Sequence, residues 1–218
     1  LEIYEALVQG CLRSRHLEEA ELFLDGWQAD FPDDPLPNFY RGLIAADRRE
    51  WKAAVAAFEE AIAKGHTEAD AHRHLADALR QLHRYTDALA AYRDCPQETG
   101  EVLAGTAACL EALRDLSAAR DTYNRMLQIA PDQPSALAGL GRMEAKLGDH
   151  AAAVAHLEQS LLKDSGNVQA WHALAWSLVN LGQTEHARDA FREAVRLTGQ
   201  IQRAEHLRRR CEEEPTSL

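Results

Sequence analysis

The feature that most constrains this chain is a recurring alanine. Ala20, Ala54, Ala88, Ala119, Ala153 and Ala187 follow one another at intervals of 34 residues, shortened once to 31. Four residues after each comes a large apolar or aromatic side chain: Leu24, Phe58, Tyr92, Tyr123, Leu157 and Phe191. Twelve residues before each stands a residue of modest size: Val8, Gly42, Ala76, Ala107, Gly141 and Ala175. Small residues at two fixed places let helix backbones approach closely, and the large one fills the space between neighbouring units. A period of this length implies a stacked solenoid rather than one compact core.

Each period reads as two amphipathic helices around a turn. In "WHALAWSLVNLGQTEHARDAFREA", residues 171–194, Trp171, Leu174, Ala175 and Leu178 keep helical i, i+3, i+4, i+7 spacing. LGQTEH then supplies a turn, and Ala187, Phe191 and Ala194 resume the spacing. Alone, each helix would leave its apolar stripe wet. The template fits six segments: 1–34, 35–68, 69–99, 100–133, 134–167 and 168–201. The third is short because Cys95-Pro96 arrives where its second helix needs a last turn; proline lacks the amide and disfavours helix before it. A shortened helix and an altered stacking angle are expected there. Beyond the array, Ile201, Ala204, Leu207 and Cys211 share a face among Arg203, Arg208, Arg209 and Arg210. That pattern predicts a capping helix and a fraying tail over 202–218.

The pattern resembles the tetratricopeptide repeat family over residues 1–201. The family's series of Trp or Leu, Leu, small residue, Gly, Ala, aromatic and Ala is fullest at Trp171, Leu174, Ala175, Gly182, Ala187, Phe191 and Ala194, and Pro32 and Pro131 match its loop proline. The resemblance implies an all-α, right-handed superhelical solenoid of about six helix-turn-helix repeats. It implies a non-catalytic scaffold for protein–protein interaction, whose first helices line a concave groove that binds a peptide segment or a partner helix. Several positions depart from the pattern. Arg41 and Thr106 replace the leucine at the seventh place, and Glu144 stands where a large apolar residue is usual, as a paired charge or a weak point. Trp27 replaces a small residue and is expected to disturb packing between the first two repeats.

The first-helix positions left over by the core stripe lie on another face of each helix. They supply the candidate groove residues: Phe39, Leu43, Arg73, Asp77, Arg80, Ala104, Ala108, Ala138, Arg142, Lys146, His172, Trp176 and Asn180. Phe39 and Trp176 are apolar anchors that the core template does not require. An extended segment or amphipathic helix would bury apolar side chains on Phe39, Leu43, Ala104, Ala108, Ala138 and Trp176. Arg73, Arg80, Arg142 and Lys146 would pair with partner carboxylates and fix register more than affinity. Chaperone-binding members of the family hold a terminal carboxylate with Lys and Asn in one repeat, Asn in the next, and Lys and Arg in a third. The corresponding positions here are Arg73 and Asp77, Gly105, then Ser135 and Gly139, so that clamp is not expected.

Composition narrows the remaining classes. The net charge of −11 disfavours duplex nucleic acid and anionic membrane surfaces as partners, and no apolar run is long enough to insert in a membrane. Residues 1–34 hold nine acids and two bases; Glu2, Glu5, Glu18, Glu19 and Glu21 either attract a basic segment or form a solvated end. His72 and His74 are two apart on a helix and face different ways, a poor metal pair. Without HExxH, a phosphate loop or a nucleophile elbow, no catalytic residues, metal or cofactor are expected. The four cysteines form no CxxC motif and read as small hydrophobes. The alternatives are a self-assembly module, with homo-oligomers motivated by Trp27 and the chain ends, a docking domain of a larger enzyme, or a small-molecule site at Arg142, His172 and Trp176. Residue 1 is Leu rather than Met, which reads as an excised or processed chain. Arg outnumbers Lys twenty to four, an association with bacterial coding sequences; a soluble protein is expected, cytoplasmic rather than periplasmic.

Overall fold

The computed structural model describes residues 2–66 and 69–213, apart from the side chains of 69 and 203–213. Among them are twelve helices and no strand: α1 (Glu2–Arg13), α2 (Leu17–Asp30), α3 (Leu36–Asp47), α4 (Trp51–Ala63), α5 (Ala69–Gln81), α6 (Tyr85–Arg93), α7 (Gly100–Ala112), α8 (Leu116–Ile129), α9 (Pro134–Leu147), α10 (His150–Lys163), α11 (Val168–Asn180) and α12 (Thr184–Glu213). They divide into two compact units, Leu1–Arg114 with α1 to α7 and Asp115–Leu218 with α8 to α12. Within each unit every helix packs on its successor, and alternate first helices also touch, α5 on α7 and α9 on α11. The fold is an all-α solenoid of helical hairpins.

The turn inside each repeat has one backbone solution. Its penultimate residue before the second helix is left-handed every time, at Arg15, Arg49, His83, Arg114, Gly148 and Gly182, with φ between 58° and 91°. Helices that stop this way tie the next amide back to a carbonyl five residues earlier, as in Glu50 to Ala45 at 2.8 Å and Gln183 to Leu178 at 2.9 Å. Side chains start several of the following helices. Asp115 accepts from the Ala118 amide at 3.1 Å and Asp149 from Ala152 at 3.2 Å.

Stacking follows the periodic residues. The recurrent alanines are buried, and of the large residues one turn later Leu24, Phe58, Tyr92, Tyr123 and Leu157 are at most 8% exposed, Phe58 and Leu157 lying over Gly42 and Gly141 of their own repeat's first helix. Tyr92 lies over Gly105 and Tyr123 over Gly139, where an added Cβ would fall under 3.0 Å from the phenol ring. Glycine is required there by the close approach alone. The second helix of the third repeat ends at Arg93 after 9 residues, against 13 or 14 in α2, α4, α8 and α10, as Cys95-Pro96 dictates.

One expectation is corrected. Trp27 does not disturb the first interface but builds it. The indole is 0% exposed, stacks on Tyr4 at 6.0 Å, meets Tyr40 at 6.1 Å, and donates from Nε1 to Asp34 at 3.0 Å. Buried with its one polar atom satisfied, it offers nothing to a second copy. The stretch expected to cap the array is the continuation of α12, which runs unbroken to Glu213. The capping contacts expected of Ala204, Leu207 and Cys211, and the tail from 214, lie outside the described residues. The polar departures are paired: Arg41 meets Asp25 at 2.9 Å, the Thr106 hydroxyl donates to the Val102 carbonyl at 2.8 Å, and buried Glu144 bonds His156 at 2.7 Å.

Helix propensity alone would make Gly139→Ala stabilising by about 1 kcal/mol. Because the new methyl meets the Tyr123 ring, we expect a loss of about 1–3 kcal/mol instead, measured by denaturant unfolding. In a Tyr123→Leu background the loss should shrink. A gain in stability on replacing Gly139 alone would contradict this packing.

Candidate functional site

The candidate residues fall in two groups, one per unit. In the first, α5 places Arg73, Asp77 and Arg80 at i, i+4 and i+7 on one flank. Asp77 is the hub. Its Oδ1 accepts from the Tyr92 hydroxyl at 2.6 Å and from Arg80 at 3.3 Å, and its Oδ2 lies 3.6 Å from Arg73. Arg73 also meets Asp70 at 3.3 Å and Glu101 of α7 at 3.5 Å. The two guanidinium groups are thus held among three carboxylates. Burial, then the hydrogen bond to Asp77, push the Tyr92 phenol well above its ordinary range, so it stays a neutral donor.

Tyr92 was not among the residues that the sequence pointed to, because its place in the repeat marks it as core. The available signal was a tyrosine, rather than a phenylalanine, at a position facing glycine: a buried hydroxyl needs a partner. Further along this face, Ala104 is exposed and Ala108 half-buried on α7. Leu43 and Phe39 on α3 are half-buried and pack into the core. Phe39 centres an aromatic cluster, with ring centroids 4.6 Å from His66, 5.7 Å from Tyr40, 5.8 Å from His74 and 5.9 Å from Phe58. It therefore ties the second repeat to the third instead of standing as an open anchor.

His74 joins this cluster to the polar hub. Its ring stacks on Phe58, and its Nε2 lies 3.2 Å from an Arg73 nitrogen. Burial first, and the Arg73 charge second, lower its pKa below 6.5. A neutral imidazole suits a nitrogen that faces a guanidinium. The Cys109 thiol of α7 is pushed up to about 11, mainly by burial, which leaves it protonated and unreactive at neutral pH.

In the second unit, α11 presents His172, Trp176 and Asn180 at i, i+4 and i+8, all exposed. Trp176 is 57% exposed. The Asn180 amide donates to the Trp176 carbonyl at 2.8 Å, and His172 meets the edge of Phe191 with centroids 6.3 Å apart. On α9, Arg142 donates to Gln169 of α11, and Lys146 is exposed one turn on. Ala138 departs from expectation: α9 packs against α8, α10 and α11, so this alanine is core and offers no surface. Among the described residues no group of three or more His, Cys, Asp or Glu is placed to hold a metal, and no helix is long and apolar enough to cross a membrane.

Two models of the tetratricopeptide repeat match residues 41–99 and 144–211, together more than half of the sequence. The chain belongs to the tetratricopeptide repeat family. Tetratricopeptide repeats are in general non-catalytic modules of protein interaction, and this array is a protein-interaction scaffold. Solved structures with the same fold include YrrB, a tetratricopeptide protein with an unusual peptide-binding site. YrrB is 15% identical, with a TM-score of 0.71, over 85% of this chain and 97% of its own. PilF of Pseudomonas aeruginosa is 16% identical, with a TM-score of 0.72, over 93% and 90%. MamA is 14% identical, with a TM-score of 0.69, over 78% and 94%. No curated protein matches the tetratricopeptide array by sequence.

The lowered His74 value gives a pH dependence with a defined sign. The folded state favours the neutral ring, so its contribution is complete above 6.5 and is lost as pH falls through the lower folded value. Wild type is expected to lose more thermal stability between about pH 7 and about pH 5 than His74→Gln does. Equal losses would contradict the assignment.

Proposed function

We propose that the array holds an extended segment or amphipathic helix of a partner protein against its first-helix faces, within the six-repeat frame set by the sequence and a terminal segment from 202. The observation that carries this reading is Trp176. A large aromatic 57% exposed on α11, flanked one turn away on either side by exposed His172 and Asn180, supports an apolar anchor with polar flanks. Arg142 and Lys146 on the neighbouring first helix add positive charge beside it and would set register with partner carboxylates.

The first unit supports a second kind of contact. Arg73, Asp77 and Arg80 are already engaged with one another and with Tyr92, so a partner would meet a preset polar surface rather than loose charges. Exposed Ala104 and half-buried Ala108 beside it leave room for a partner backbone. Phe39 supports this face from beneath.

The test is selection of peptides from a random display library on the whole chain. Trp176→Ala is expected to weaken selected peptides by about tenfold or more, the loss of a buried aromatic anchor. Leu162→Ala, 87% exposed on α10, is the control and should leave affinity unchanged. Peptides that bind the Trp176 variant as tightly as wild type would sink the reading.

A further inference from the structure

Successive second helices leave a groove between them, floored by the first helix that stands between, and the first unit lines two of these grooves differently. One lies between α2 and α4 over α3 and encloses about 340 Å³. There the chain supplies its own guanidinium groups. Arg41, at the seventh place of its repeat, meets Asp25 of α2 at 2.9 Å, and Arg48, at the fourteenth, meets Glu21 at 2.6 Å. Ile44, Ala45, Ala53 and Ala57 line the same hollow, the kind of apolar surface that arginine stems cover.

One repeat on, the groove between α4 and α6 over α5 encloses about 410 Å³. Its charges are not matched in the same way. Leu75 stands at the place of Arg41, Leu82 at that of Arg48, and buried Val55 at that of Glu21. The acid at the place of Asp25 is kept, as exposed Glu59. Leu75 and Leu79 form the floor, with Ile62 on the α4 wall. Glu59 edges the hollow from α4, Asp94 edges it from the end of α6, and His72 stands at the α5 edge. Arg84 is taken by Asp87 at 2.7 Å, and neither Glu59 nor Asp94 has an ion pair among the described residues. On α5 the lining residues point away from Arg73, Asp77 and Arg80, so this hollow is separate from the first-helix surface.

We propose that the α4–α6 groove is a second interaction surface, which takes an arginine side chain of a partner protein with an apolar residue beside it. The chain itself shows the fit. The partner's guanidinium sits against Glu59 as that of Arg41 sits against Asp25, while its stem and the apolar neighbour cover Leu75, Leu79 and Ile62. Asp94 is a second acceptor on the opposite wall. Arginine suits the place better than lysine, because its planar fork of donors serves carboxylates from two directions. Covering the floor also removes water from beside the pair, which strengthens it.

The test is selection from a random peptide display library on the whole chain carrying Trp176→Ala. No recovered peptide then owes its binding to that indole, and the two readings fail separately. Peptides with an arginine next to an apolar residue are expected to be enriched. Glu59→Gln, a change at an exposed side chain, is expected to weaken them by about tenfold or more. Asp25→Asn, whose carboxylate already holds Arg41, should leave them unchanged. Leu75→Arg, which gives this groove the guanidinium of its neighbour, should abolish binding in a chain shown by circular dichroism to be equally helical. Recovery of no peptide, enriched peptides without arginine, or equal affinity for Glu59→Gln would overturn the proposal. So would a mass in light scattering that rises with concentration for the wild type and not for Glu59→Gln, since the occupant would then be a second copy of this chain.

Discussion

The structure depends on one kind of contact repeated along the chain: a large side chain on a second helix seated over a small residue on a neighbouring first helix, of its own repeat for Phe58 on Gly42 and Leu157 on Gly141, of the next for Tyr92 and Tyr123. Tyr92 on Gly105 and Tyr123 on Gly139 show how tight it is, since no Cβ fits beneath either ring. This contact sets which stripe of each first helix is buried. What remains of the first helix is the surface available for function.

The polar residues are arranged around that contact and do not replace it. Asp77 gathers Tyr92, Arg80 and Arg73, so a ring that fills the seam between repeats also orders the charges on the α5 flank. Trp27 does the same at the first seam, with Asp34 holding its indole nitrogen and also accepting the Leu36 amide at 3.0 Å. In both cases a polar atom on a core aromatic ties packing to the loop or face beside it. The second unit differs in leaving an aromatic, Trp176, on the first-helix face itself.

Much of the fold was legible because the alanine and large-residue positions report directly on helix packing, which repeats identically in each unit. The short α6 could be read from Cys95-Pro96 for the same local reason. The candidate site was less legible. Periodicity tells which positions are left over by the core stripe, but not whether a third helix covers them, and so Ala138 and Phe39 were taken for surface. Trp27 was misread because a pattern of residue sizes cannot show that Tyr4 and Tyr40 flank the indole. Phe191 was read as core like its counterparts, and its exposure comes from the lack of a covering first helix over it among the described residues.

The most direct measurement follows the indole N–H resonances of the chain by two-dimensional NMR while a bound peptide is titrated in. Four tryptophans give four distinguishable reporters. Trp27 is sealed in the first seam with its N–H on Asp34, and Trp171 donates to the Ser165 carbonyl at 2.9 Å. The Trp176 resonance is expected to shift on binding while that of Trp27 stays fixed. A titration that moves Trp27 and leaves Trp176 in place would contradict recognition on the α11 face.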